Sequence, residues 1–195
     1  MKVFLNILLT VIITQGFCQD LTPNTTGLNT NPNSELSLIN DFKGLDIDIE
    51  NSKVTFDFIH ENTSGTISGL DFRIDFNPSD PENAVFKGSA LVKTIDTDNF
   101  LRDGHLMWEK FFYKKKYPKI TFTSTQVVEF ENNTFKVIGN LTIKGIQKEV
   151  IITFNLNDKL LLGKTTIHTS DYGVNIFDER QKNELDIQFH FPILK

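Results

Sequence analysis

The sequence predicts an all-β, antiparallel domain interrupted by one short helix. Three observations carry that reading. Apolar residues recur at every second position through most of the chain beyond residue 52. Compact turn sequences separate these stretches. One segment, residues 99–112, breaks the alternation.

The chain opens with an expected export leader, residues 1–18. Lys2 supplies a positive end, and Val3 to Ile13 form an apolar run broken only by Asn6 and Thr10. The run is too short for a stable membrane span. Cleavage after Cys18 would put Gly16 and Cys18 at the positions that take small residues. The rival reading is a lipoprotein anchored at Cys18, and the bulky Phe17 argues against it. The expected location is therefore periplasmic or secreted. Residues 19–37, rich in Asn, Thr and Pro, cannot bury enough apolar surface to offset their ordering entropy and read as a flexible tether. The folded domain is expected over residues 38–195.

Within it, "KVTFDFIH" places Val54, Phe56 and Phe58 on one face. "LDFRIDFNP" places Phe72, Ile74 and Phe76 opposite Asp71, Arg73 and Asp75. "KITFTS" carries Phe122. "TFKVIGNLTIKG" sets Phe135, Val137, Gly139, Leu141 and Ile143 against Lys136, Asn140, Thr142 and Lys144. "EVIITFNL" alternates Val150, Ile152, Phe154 and Leu156, and "ELDIQFHFPIL" alternates Leu185, Ile187, Phe189, Phe191 and Ile193. Each is a half-buried antiparallel strand by pattern. "NPSDPEN" at 77–83 and "ENNT" at 131–134 are turns, and "KGIQK" at 144–148 reads as a hairpin link. About eight such strands must close one sheet or stack two.

The helix is expected near residues 99–112. Leu101, His105, Trp108 and Phe112 fall on one helical stripe, Asn99 can cap its start, and Pro118 ends it. The same stretch holds Arg102, Asp103 and His105, a trio with two readings. One is a proton-transfer site or a clamp for a ligand's polar head. The other is structural: Arg102 pairs with a carboxylate, Asp103 orients amides near the helix start, and His105 lies on the buried stripe. A partly buried polar cluster must satisfy itself or cost stability, which favours the second.

Composition narrows the chemistry. Cys18 is the only cysteine, so the mature domain has no thiol nucleophile, cysteine metal site or disulfide. Loss of the leader leaves 19 cations against 25 acids, a net charge of −6. That disfavours nucleic acid, or an anionic membrane surface, as a partner. His60, His105, His168 and His190 form no metal-ligand spacing, and no G-x-S-x-G, phosphate loop or dinucleotide fingerprint occurs. No cofactor, metal or catalytic residue is expected. The 18 phenylalanines fit either an aromatic core or the wall of an apolar cavity.

Several stretches together resemble the YceI-like domain family. "TDNFLRDGHL" (97–106) resembles its T-x-N-x-x-R-D-x-H-L motif. "SKVTFDFIH" (52–60), "GTISGLDFRIDFNPSDPENA" (65–84), "FFYKKKYPKITFTST" (111–125), "VIGNLTIKGIQKEV" (137–150) and "SDYGV" (170–174) resemble further family segments in order. The resemblance implies a lipocalin-like antiparallel barrel of about eight strands that holds a polyisoprenoid or similar amphiphilic lipid. Trp108, Lys110 and Thr169 depart from the family pattern. Thr169 stands where a base is frequent, which favours a quinone, an isoprenoid alcohol or an amide lipid over a pyrophosphate.

The expectation is therefore an exported carrier or sequestering protein for a long-chain isoprenoid or other amphiphilic lipid, with a homodimer left open. Phe56, Phe58, Phe72, Phe76, Phe122, Phe154 and Phe189 are expected to line the channel, and Arg102 and His105 to meet the ligand's polar end. The competing expectations are an enzyme or metal protein centred on Arg102, Asp103 and His105, and a dry barrel used as an interaction module.

Overall fold

The computed structural model describes residues 45–194. The expected leader (1–18, with Cys18), the tether (19–37) and the first residues assigned to the domain lie outside the described residues. The alternating segments form β1 (Lys53–Phe58), β2 (Thr63–Ile67), β3 (Asp71–Asp75) and β4 (Val85–Leu91). After a helical insertion come β5 (Lys119–Glu129), β6 (Thr134–Ile143), β7 (Ile146–Asn157), β8 (Leu160–His168) and β9 (Glu184–Pro192). They make one antiparallel nine-stranded sheet in the order β2-β1-β9-β8-β7-β6-β5-β4-β3, against the eight or so expected. Two of the strands that alternation did not mark are β4 and β8. β4 reads VFKGSAL, with small residues where bulky ones would reveal the period, and β8 opens with consecutive leucines.

Connectivity curls the sheet. β2 and β3 are its edges, yet only residues 68–70 separate them along the chain. Thr66 exchanges both backbone hydrogen bonds with Asp96, at 2.8 and 3.0 Å, and the Leu91 amide donates to the Ser68 carbonyl at 3.3 Å. Inside, Phe72 of β3 stacks on Phe191 of β9 with centroids 4.7 Å apart. No ladder joins β2 to β3 among the described residues, so the barrel keeps a seam there. Both edge strands have five residues, which limits pairing with another chain.

β6 shows how alternation becomes wall. Phe135, Val137, Gly139, Leu141 and Ile143 are buried and every residue between them is half-exposed. The expected hairpin is present. Lys144 (φ 51°) and Gly145 (φ 79°) turn between the paired Ile143 and Ile146, the left-handed two-residue loop whose twist suits adjoining strands.

The helix, α1 (Phe100–Leu106), begins as expected, with the Asn99 side chain accepting the Arg102 amide at 3.1 Å. It ends at Leu106. The following residues form tight turns, in which the Phe112 and Lys114 amides donate back to the Leu106 and Met107 carbonyls. This corrects the expected stripe. Leu101, His105 and Trp108 are exposed, while Arg102, Asp103, Leu106, Met107, Phe111 and Phe112 are partly buried. The spacing does put Leu101, His105 and Trp108 on one side, but that side faces solvent, and Phe112, beyond the end of the helix, turns inward.

Candidate functional site

Packing divides the barrel by height. Toward the 131–134 and 158–159 turns, Phe76, Val127, Phe135, Val137 and Leu161 are each 1% exposed or less. Toward α1 the interior opens into a cavity of about 420 Å³, within the range of small-molecule sites. Phe56, Phe58, Phe72, Phe122, Phe154 and Phe189 line it. Phe76 does not, which corrects its expected place. Its ring meets Phe135 edge-on at 4.6 Å and Phe86 at 5.6 Å. Alternation correctly put Phe76 inside, but it carries no information on height along the barrel.

The cavity stays open because of what faces the phenylalanines. Phe56 pairs across the ladder with Gly65, and Phe154 with Gly163. The Phe122 ring lies against Gly139. A Cβ on Gly139 or Gly163 would fall 2.5 Å from the facing ring, well inside contact. Each ring therefore occupies the space that a neighbouring side chain would fill, and the centre stays clear. A signal for this was present in the sequence: Gly139 sits in register with the buried residues of β6.

Arg102 and His105 line the same cavity. Among the described residues, the Arg102 guanidinium does not take the carboxylate partner that a structural role suggested. Its Nε donates to Thr97 Oγ1 at 2.8 Å, its Nη2 to the Thr97 carbonyl at 2.9 Å, and its Nη1 to Thr63 Oγ1 at 3.2 Å. Asp103 acts as the structural reading expected, with Oδ1 accepting the Thr97 amide at 3.0 Å and the Thr97 hydroxyl at 2.5 Å. The buried Thr97 hydroxyl thus donates to Asp103 and accepts from Arg102. This linkage fastens α1 to β2 and leaves the charged pair held through a hydroxyl. His105 packs against Trp108, with centroids 4.4 Å apart. Among the described residues no three His, Cys, Asp or Glu side chains gather as a metal site.

Residues that sequence reasoning missed close this end. Leu106, Phe111, Phe112 and Ile176 line the cavity from α1 and two loops. Asn183, fully buried, folds the 174–183 loop. Its Oδ1 accepts the Ile176 and Phe177 amides, and its Nδ2 donates to the Phe177 and Glu179 carbonyls. Nothing in the sequence around Asn183 marked it. From this loop, Arg180 grips Asp171 through two hydrogen bonds of 2.8 and 2.6 Å. That grip holds the Asp171 carboxyl below the usual carboxylate range. Burial, with Asp171 next to it, pushes the Tyr172 phenol up to about 12.

Comparison with known proteins fits this architecture. A family model described as the YceI-like domain matches residues 45–193. A UPF0312 protein of Pseudomonas savastanoi pv. phaseolicola is 29% identical over 154 residues, covering 73% of this chain and 78% of that one. The crystal structure of Burkholderia cenocepacia BcnA superimposes with a TM-score of 0.68 at 23% identity, covering 77% of this chain and all of that one. A domain of Saccharophagus degradans, described as polyisoprenoid binding, has a TM-score of 0.55 at 13% identity, covering 77% of this chain and 97% of that one.

Proposed function

This chain belongs to the YceI-like domain family, and on that premise we propose that it binds a long-chain amphiphilic lipid, an isoprenoid or quinone-like molecule, as a carrier or sequestering protein. The observation that carries the reading is the cavity of about 420 Å³, walled by phenylalanine rings whose facing glycines keep it hollow. Burial of a hydrocarbon chain there contributes about 0.8 kcal/mol per methylene, so affinity follows chain length without directed chemistry. Arg102 has five N–H donors, of which three are committed to Thr63 and Thr97. The remainder suit a hydroxyl, carbonyl or amide at the lipid's polar end. The fold neighbour described as polyisoprenoid binding supports a ligand of this class. The leader-like residues 1–18 support a periplasmic or secreted location. Arg102 and Asp103 are engaged in holding Thr97, so the reading gives them a structural role and no catalytic one.

The test is mass spectrometry of an organic extract of the intact, natively purified protein, with elemental analysis of the same sample. A stoichiometric lipid is the expected result and would name the ligand. A stoichiometric metal without lipid would overturn the reading. Phe72→Asp places a charge in the cavity wall and is expected to abolish lipid retention in a folded protein. Unchanged retention would show that the guest lies elsewhere.

A further inference from the structure

α1 turns its outer side to solvent with an unusual composition. Phe100 is 82% exposed, Leu101 61% and Trp108 60%. These are the three largest hydrophobic exposures on the described surface apart from Phe130, which Lys136 covers from 4.4 Å above its ring. Phe100, Leu101, His105 and Trp108 follow one side of α1 and its first turn, and Gly104 between them has open space beyond it. Lysines adjoin the patch. Lys110 follows two residues after Trp108, and the Lys114 amide is tied to the carbonyl of Met107, the residue before Trp108. Lys110, Lys114, Lys115 and Lys116 are all exposed.

Charge is sharply segregated here. Residues 100–119 hold six cations and two acids, a net of +4 with His neutral, while the rest of the chain sums to −9 against the whole chain's −5. Net charge argued against an anionic surface as a partner, but the distribution reverses that locally. Solvent-exposed Trp, Phe and Leu beside clustered Lys match the interface of an anionic bilayer: rings enter at headgroup depth and ammonium groups meet the negative surface. The same segment supplies Arg102, His105, Leu106, Phe111 and Phe112 to the cavity wall.

We infer that the α1 face, centred on Phe100, Leu101 and Trp108 with Lys110 and Lys114–116, docks the protein on an anionic lipid bilayer with the cavity's α1 end against the membrane. Docking places the cavity where a lipid can pass between bilayer and barrel without crossing water. That transfer role rests on the lipid-binding reading above, while docking itself does not.

Trp108 is the only tryptophan in the chain, so its fluorescence reports on this face alone, whatever residues 1–44 do. The full chain is mixed with phosphatidylcholine vesicles carrying about 30 mol% phosphatidylglycerol, at low salt. Trp108 emission is expected to shift to the blue, to gain protection from an aqueous quencher, and to lose both as salt rises. Phe100→Ser with Leu101→Ser, and separately Lys114→Glu with Lys115→Glu, are expected to weaken the response about ten-fold. All four side chains are exposed, so folding survives. Unshifted Trp108 emission with the wild-type chain overturns the proposal, even if the protein sediments with the vesicles. So does a blue shift that appears on concentrating the protein without vesicles, which would assign the face to a second copy of the chain. The organic extract separates the two readings. Lipid retained in Phe100→Ser/Leu101→Ser with docking lost supports both. A Trp108 response in a protein that carries no lipid supports docking and counts against the cavity's role.

Discussion

At the end of the barrel near the 131–134 turn, the Phe76 ring meets Phe135 at 4.6 Å and Phe86 at 5.6 Å, and Val127, Val137 and Leu161 fill what remains. At the α1 end, Phe56 and Phe122 lie against Gly65 and Gly139. The residue type is the same and the outcome is opposite. Large side chains facing one another close an interior to native density. Large side chains facing glycine are taken up by the wall and leave a lumen. The chemistry of a site is thus set less by its aromatic residues than by the neighbours they are given.

The largest effect expected from this contrast is at the packed end. Phe135→Ala should cost about 3–5 kcal/mol, as a cavity opened among fully buried rings does. Phe56→Ala at the hollow end should cost less than about 2 kcal/mol, because it enlarges a space that exists already, while lowering lipid content. Urea unfolding of lipid-free protein measures both. Equal losses would erase the distinction between the two ends.

The hollow end has its own rigid part, which pH can release. Tyr172 is buried and its folded pKa lies above its ordinary value, so the folded state holds that proton more tightly. Its contribution is complete below pH 10.0 and is lost as pH rises toward about 12. It amounts to roughly 2–3 kcal/mol by 1.36 kcal/mol per tenfold change in affinity. Asp171 has the opposite sign. Its lowered pKa gives stability above the ordinary carboxylate range that disappears as pH falls through the folded value. Tyr172→Phe should flatten the alkaline limb of a stability–pH curve and leave the acid limb in place. An alkaline limb unchanged in that variant would assign it to another group.

Adding one methyl tests the glycine rule. Gly139→Ala should cost about 1–3 kcal/mol by overpacking against Phe122, or else push that ring into the lumen and lower the amount of lipid extracted. Neither change would mean that the ring has free space elsewhere. Gly104 provides the counter-case. It lies in α1 with no atom within 4 Å of an added Cβ, so Gly104→Ala should stabilise by about 0.5–1 kcal/mol through helix propensity alone. Its lipid content should stay the same.

Period-two alternation in β1, β3, β6, β7 and β9 was enough to name the inward face of each strand, because a side chain's side of a sheet depends only on its neighbours in sequence. The turns at 131–134 and 144–145 were equally legible from Asn132, Asn133 and Gly145, residue types that accept positive φ, although Lys144 adopts it too. The Asn99 cap and the role of Asp103 are local interactions and could be read locally. What stayed hidden was of longer range. Arg102 reaches Thr63 across 39 residues of sequence. Phe76 joins the packed end because Phe135 and Phe86 arrive beside it. The outward side of α1 was decided by where the helix stopped against the barrel. Sequence by itself determined the facing of those five strands and the turn chemistry between them. Tertiary structure decided height, closure and which apolar residues stay wet, because these depend on which distant strand supplies a ring and which supplies a glycine.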